Sequence, residues 1–388
     1  MVLRYLTAGE SHGPGLTAVI EGFPAGVPID LETINRDLKR RMQGYGRGGR
    51  MKIESDEVAI RAGVRWGESL GSPIMLWIEN RDWRNWEKKM SPYAADRDPD
   101  LAVTRPRPGH ADLAGALKYN HRDVRNILER ASARETAARV AVGGVAKSLL
   151  APFGIRVLGW VSEIGGIVAD HSGLGPEVIF ERAEASVVRM ADPGAERRIV
   201  ALIDECKAAG DTLGGVVETV VVGLPPGLGS HAQWDRKLDG RLGHALLSLQ
   251  AAKGVEIGLG FESARRRGSA VHDEIFFDEP AQRFVRRTNT AGGTEGGMSS
   301  GEPLVVRTAF KPLSTLMSPL HSVDIETKSE AKGAIERSDV VAIPAAAVIC
   351  ESIVACVVAD AFLEKFGGDS FAEIQRNYGG YLEQVRGF

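Results

Sequence analysis

Apolar residues recur along this chain with two periods, and the change from one to the other marks out its elements. Val2 to Thr7 and Leu16 to Glu21 predict two strands joined by a tight loop. An amphipathic helix is expected from Leu31 to Met42, then strands at 50–62 and 72–79. The segment 80–103, with Trp83, Trp86 and Pro92, reads as a long loop, and long loops in compact domains are often lids or interfaces. A short helix follows from His110 to Tyr119.

Ser132 with Glu135 three residues later is a capping box, so a helix is expected to begin at Ser132 and run to Leu150. Its body is small and apolar around Gly143-Gly144, and a glycine inside a helix costs about 1 kcal/mol against alanine, so the pair points to close packing. After a mixed segment at 155–200, the pattern gives a helix at 195–209, a β-branched strand beyond Asp211-Thr-Leu-Gly-Gly215, a helix from Gln233 to Gln250 and a strand at 303–310. A second Ala-rich helix spans Pro344 to Phe366. Both Ala-rich helices follow a Glu-Arg turn, Glu129-Arg130 and Glu336-Arg337, which suggests an internal duplication with halves at about 1–155 and 210–370. Chance similarity of Ala-rich helices is the alternative. The interleaving argues for one α+β domain over 1–388, with mainly antiparallel sheets packed against central Ala-rich helices.

Composition narrows the class. The 388 residues are 43% hydrophobic, enough for a large core. A net charge of -3 and a pI near 6.3 argue against bulk binding of nucleic acid or membrane. Cys206, Cys350 and Cys356 lack metal spacing, and their odd number argues against a disulfide framework. With no signal peptide and no eighteen-residue apolar run expected to span a bilayer, the chain reads as cytoplasmic.

Several arginines stand where anions bind. Arg130 and Arg134 flank the start of the helix expected at Ser132, where the dipole disfavours cations, so an anionic ligand is the natural complement; a solvated, salt-bridged helix end is the alternative. Gly44 to Gly49 matches the G-x-G-x-x-G spacing but follows a helix where a dinucleotide fold needs a strand. With Arg40, Arg41 and Arg47, this loop reads as a phosphate or carboxylate clamp or as a mobile basic surface. Gly9-Glu-Ser-His-Gly13 matches the nucleophile-elbow spacing, but a strand follows it instead of a helix. In Arg105-Pro-Arg-Pro-Gly-His110, the histidine can donate a proton to an oxyanion held by Arg105 or Arg107. The glycine-rich stretch 289–301 can offer backbone N–H groups to an anion, and the strand at 303–310 delivers Lys311, Ser314 and Thr315 to one edge. Arg265-Arg266-Arg267 reads as a solvated face.

These motifs resemble the chorismate synthase family: Gly9–Gly13, Arg105–Asp112, Arg130–Thr136, Asp211–Gly215, Lys253–Gly258, the loop 292–301, Lys311–Thr315 and Arg337–Asp339. The similarity covers about residues 3 to 380. It implies conversion of 5-enolpyruvylshikimate 3-phosphate to chorismate and phosphate, the last step of the shikimate pathway, with reduced FMN and no net redox change. It implies a β–α–β sandwich, a homotetramer, and His12 as the acid serving the reduced flavin. His110 would then protonate the departing phosphate, Asp339 would be the base, and Ser11 and Ser132 hydrogen-bonding relays. Arg41, Arg47, Arg107, Arg134 and Arg337 would hold the substrate's anionic groups. Flavin contacts would fall on Arg130, Ala131, Ser132, Gln250, Ala251, Gly296, Lys311, Pro312, Leu313, Ser314, Thr315 and Arg337. Gln250 stands where many relatives carry asparagine. Whether the protein reduces its flavin with NADPH is open; the missing dinucleotide fold favours reduced FMN from an external reductase. Two rivals are an acyl hydrolase using Ser11 and a non-catalytic anion-binding module.

Overall fold

A computed structural model describes residues 3–48, 55–336 and 339–388. Val2, Gly49, the first residues of the strand expected at 50–62, and Arg337 with Ser338 lie outside the described residues.

The first sheet is antiparallel, in the order β1 (Arg4–Ala8), β2 (Gly15–Glu21), β4 (Ile74–Glu79), β3 (Val58–Ala62). Along β2 and β4, Leu16, Ala18, Ile20, Ile74, Leu76 and Ile78 are buried, the period-2 pattern of a sheet with one covered face. The helix expected at 31–42 is α1 (Leu31–Met42), capped by Asp30, whose carboxylate accepts from Thr33 N. The loop at 80–103 carries three short 3-10 turns. Beyond it lie α2 (Asp112–Tyr119), α3 (Arg125–Ala131) and α4 (Thr136–Leu150).

The second sheet has the order β8-β9-β7-β5-β6: β5 (Arg156–Ile164), β6 (Ile167–Val168), β7 (Gly215–Val222), β8 (Ala252–Ile257) and β9 (Leu304–Phe310). All its pairings are antiparallel. Helices α5 (Pro176–Ala185) and α6 (Pro193–Ala209) precede β7, and α7 (Leu238–Leu247) precedes β8. The chain ends in α8 (Ile343–Phe366) and α9 (Phe371–Arg386).

Helix α4 packs on the first sheet, α8 packs on the second, and the two helices pack on each other. Glycine makes this last contact possible. A Cβ on Gly143 would stand 2.3 Å from Ser352 Cβ of α8, and next to it a Cβ on Gly144 would meet Ile34 of α1 at 2.7 Å. The expectation of close packing at this pair therefore holds.

Three expectations need correction. First, α4 begins at Thr136; extended Ser132 (φ -63, ψ 142) both closes α3 and caps the 3-10 turn Ala133–Glu135 that leads into α4. Its hydroxyl accepts from Arg134 N, and the Glu135 carboxylate is drawn to Thr7, Arg139 and Gln250, so it does not complete a capping box. Second, α8 is long and apolar enough to cross a membrane, contrary to the reading of its sequence, yet it is buried as the core helix of the fold. Third, Arg40 is no ligand clamp. It sits in a buried cluster with Asp37 at 2.8 Å, Glu351 at 2.7 Å and Glu184 at 2.8 Å, and Lys147 binds two of these carboxylates, Asp37 at 2.7 Å and Glu351 at 2.9 Å.

Candidate active site

The loop between β1 and β2 turns sharply enough to leave no room for a side chain at its start. Gly9 has φ +108, and a Cβ there would lie 2.3 Å from Gly15 O. Buried Asn80 clamps the loop from the end of β4, donating from Nδ2 to Gly13 O at 2.7 Å. Ser11 and His12 are thereby fixed against α3. Ser11 N donates to Glu129 O at 3.0 Å, and the Ser132 hydroxyl donates to Ser11 Oγ at 3.2 Å. His12 Nδ1 lies 3.0 Å from the Glu129 carboxylate, and its ring stacks on Trp86 with centroids 3.8 Å apart. Burial alone would raise the Glu129 carboxyl; the hydrogen bond and charge of His12, backed by Arg125, bring it below its ordinary value.

Arginines gather on the next wall. Arg41 is buried, donating to Thr136 Oγ1 and Ala133 O at 3.1 Å, with Asp56 at 3.5 Å. Burial, together with the nearby charges of Arg134 and Arg47, pushes its guanidinium down to about 10 against the pull of Asp56 and Asp339. This concentration of like charge favours an anion. Arg134 is also buried, but paired: Asp56 oxygens lie at 2.6 and 2.7 Å and Asn80 Oδ1 at 2.8 Å. At this helix start Arg134 is thus answered by a carboxylate of the chain while it also lines the cavity. Arg47 meets Asp339 at 2.9 Å, and Gly48 N donates to the same carboxylate at 2.6 Å, so the glycine loop after α1 folds onto the segment before α8.

His110 occupies the opposite side. Its Nδ1 is hydrogen-bonded to Asp112 Oδ1, and Arg107 Nε reaches Asp112 Oδ2 at 2.9 Å. Burial opposes ionisation of Asp112, but His110 and Arg107 hold it well below the usual carboxylate range. Arg107 Nη1 continues to Thr315 Oγ1 at 2.9 Å, and Lys311 Nζ donates to Gly109 O at 2.6 Å. Burial and neighbouring Lys253 lower the Lys311 ammonium.

All of these walls enclose one cavity of about 660 Å³, within the range of roughly 300–1,000 Å³ usual for small-molecule sites. Its lining unites Ser11, His12, Arg41, Arg47, Arg107, His110, Arg134 and Asp339 with the segments at 131–134, 249–251 and 310–315. One buried polar atom there, Gln250 Oε1, has no hydrogen-bond partner, while Nε2 of the same side chain donates to Glu135 at 3.3 Å. An acceptor left open on a cavity wall suits a ligand donor. Other positions differ. Exposed Arg105 is absent from the lining, leaving Arg107 to hold an anion beside His110. Arg130, partly exposed, donates to Thr7 O at 2.8 Å and is not in the lining. Gly296 sits in the turn of a short hairpin, also outside it. Neighbouring glycines serve backbone approach instead of an anion nest: a Cβ on Gly292 would lie 2.3 Å from Gly258 N.

The sequence matches the family model for chorismate synthase over residues 3–363. The chain belongs to the chorismate synthase family. Among relatives of that name, the protein from Geobacter metallireducens is 63% identical over 393 residues, covering 100% of both chains. The one from Symbiobacterium thermophilum is 62% identical, covering 99% of each. A solved chorismate synthase crystal structure superposes with a TM-score of 0.81 at 45% identity, covering 100% of this chain and 99% of that one. Membership in the chorismate synthase family makes the chain a lyase that forms chorismate.

Sequence reasoning missed Asp56, Asn80, Trp86 and Glu129 as members of the site. Glu129 carried a signal in the Glu129-Arg130 turn, and Trp86 in the long loop at 80–103; Asp56 and Asn80 act across the fold.

Proposed function

We propose that this cavity performs the trans-1,4-elimination that converts 5-enolpyruvylshikimate 3-phosphate to chorismate and phosphate, with reduced FMN beside the substrate and no net redox change. The observation that carries the reading is the meeting of Arg41, Arg47, Arg107 and Arg134 with two carboxylate-bound histidines around one cavity. A substrate with one phosphate and two carboxylates needs such a set of cations. Ala131, Ser132, Gln250, Ala251 and Lys311 to Thr315 would hold the flavin, and the open Gln250 acceptor fits a ring that carries N–H donors. The family's motif also points to Arg130, Gly296 and Arg337. Bound reduced FMN supplies an electron-rich ring that lends and recovers an electron.

The neighbours of the two histidines support an exchange of the roles that the resemblance suggests. His110 is tied through Gly109 and Arg107 to Lys311 and Thr315, the flavin segment, and so serves the flavin. His12, on the loop between β1 and β2 and bound to Glu129 of α3, gives its proton to the leaving phosphate. Asp339, held by Arg47 and Gly48 N, takes the proton lost from C6. A serine hydrolase fits poorly, because the loop of Ser11 leads into a strand and the serine meets Ser132. A binding module leaves the His12, His110 and Asp339 set without a purpose.

The two sheet-and-helix layers are read as a duplicated β–α–β sandwich over one domain. Assembly as a homotetramer has support from apolar Leu6 and Val19, cross-strand neighbours exposed on the uncovered face of the first sheet. The enzyme works in the cytoplasm with FMN reduced elsewhere; the second part has support from the Gly44–Gly48 loop, which follows helix α1 where a dinucleotide fold needs a strand. An anaerobic assay with chemically reduced FMN should release phosphate and chorismate in equal amounts; no release would overturn the reading.

A further inference from the structure

We infer that Glu129 is a positioning residue for His12, with Trp86 as the wall that holds the imidazole ring against it. Glu129 lies near the end of α3 with its side chain 1% exposed. Its carboxylate takes two groups from one residue, the backbone N–H of His12 at 2.9 Å and ring Nδ1 at 3.0 Å. Arg125, one turn earlier, binds the same carboxylate at 3.0 Å and reaches Glu336 at 3.5 Å. The in-plane orientation of the ring is thereby set. Trp86 fixes its face, stacked at an interplanar angle of 20° and itself anchored by Nε1 to Asp82 Oδ2 at 3.1 Å. The Arg125 guanidinium stands 5.2 Å from the Trp86 ring, linking the two supports.

The chemical consequence follows from which nitrogen is committed. With Nδ1–H directed at a buried carboxylate, the proton that His12 passes to a ligand leaves from Nε2. This rests on the role given to His12 above. The charged groups on these supports are Glu129 and Arg125 from α3, Asp82 and Lys89 from the 80–103 loop, and Glu336 from the segment before Asp339.

The test is a double-mutant cycle on the full-length enzyme with reduced FMN. Wild-type formation of chorismate and a loss of turnover in His12→Ala check the underlying reading separately. Given both, Glu129→Gln should lower kcat about 10²-fold with KM little changed, and should move the pH profile of kcat. In the His12→Ala background the same change should cost less than twofold. Trp86→Phe should keep most of the activity that Trp86→Ala loses. If Glu129→Gln does not fold, Glu129→Asp retains the charge, so its pH profile should stay near wild type while kcat drops. Wild-type kcat and profile in the Glu129 variant, or an equal cost in both backgrounds, would overturn the inference.

Discussion

Arg134 and Asp56 are locked together in the interior, Nη1 of the arginine lying 2.6 and 2.7 Å from the two carboxylate oxygens. Both side chains are buried, and among the described residues Arg41, at 3.5 Å, is the further cationic contact of Asp56. Arg134→Ala should therefore cost stability, by about 3–5 kcal/mol, because it strands a buried carboxylate. Urea unfolding of the apo protein measures this. Unchanged stability would mean that Asp56 is relieved by Arg41 alone.

Helix packing gives a prediction opposite to helix propensity. Gly143→Ala ought to gain about 1 kcal/mol by propensity. The new methyl would instead meet Ser352 Cβ at 2.3 Å and Cα at 2.5 Å, where α4 crosses α8. Backbone cannot yield as a flexible side chain can, so the variant should be destabilised by at least about 1–3 kcal/mol. A melting temperature equal to wild type would show that the two helices are free to separate.

Asp112 links stability to pH. Its folded carboxyl titrates below the ordinary range, so the stabilisation it gives is complete above about pH 4, the unfolded value, and is lost as pH falls through the lower folded value. Asp112→Asn should be less stable than wild type at pH 7 by about 3 kcal/mol, the low end for a broken buried pair. The gap should narrow between pH 4 and pH 2. Denaturant unfolding at both ends of that window checks the sign; a gap that widens in acid would contradict it.

How much of this was readable in the chain depends on how far apart the partners lie. The helix Leu31–Met42 was legible to the residue because its apolar spacing and its Asp30 cap are local. His12, His110, Arg107 and Asp339 were legible because motifs carry them. The start of α4 was misread because Glu135 is claimed by Arg139, Thr7 and distant Gln250, competition that no four-residue pattern reveals. Asp56 and Asn80 carried no signal: they meet Arg134 across separations of 78 and 54 residues, and such pairing is decided by the packing of the sheet on α4. Arg40 looked like Arg41 in sequence, yet adjacent positions on a helix face different ways, one into the Glu351 cluster and one toward the cavity.

The two histidines can be told apart by what each variant still binds. His110→Ala should weaken reduced FMN binding, measured anaerobically without substrate, because the ring stands beside the Lys311–Thr315 segment. His12→Ala should bind the flavin normally and lower turnover by about 10²–10⁴-fold. The reverse pattern would restore the assignment that the resemblance suggests.

Gln250 supplies the sharpest test of the cavity as a flavin site. Its Oε1 is buried without a partner, and a buried acceptor left unmade costs on the order of 1–3 kcal/mol. Gln250→Met removes that acceptor in nearly the same volume, at the expense of one hydrogen bond from Nε2 to Glu135. Glu135 keeps Arg139 and Thr7, so it stays compensated. The apo variant should then melt at the same temperature as wild type or above it. If FMN meets the open oxygen, affinity for the cofactor should fall by about 1 kcal/mol or more, the net worth of one hydrogen bond, read as roughly a fivefold rise in Kd or greater. A variant of unchanged affinity would remove Gln250 from the flavin contacts and leave its open acceptor to the substrate side of the cavity.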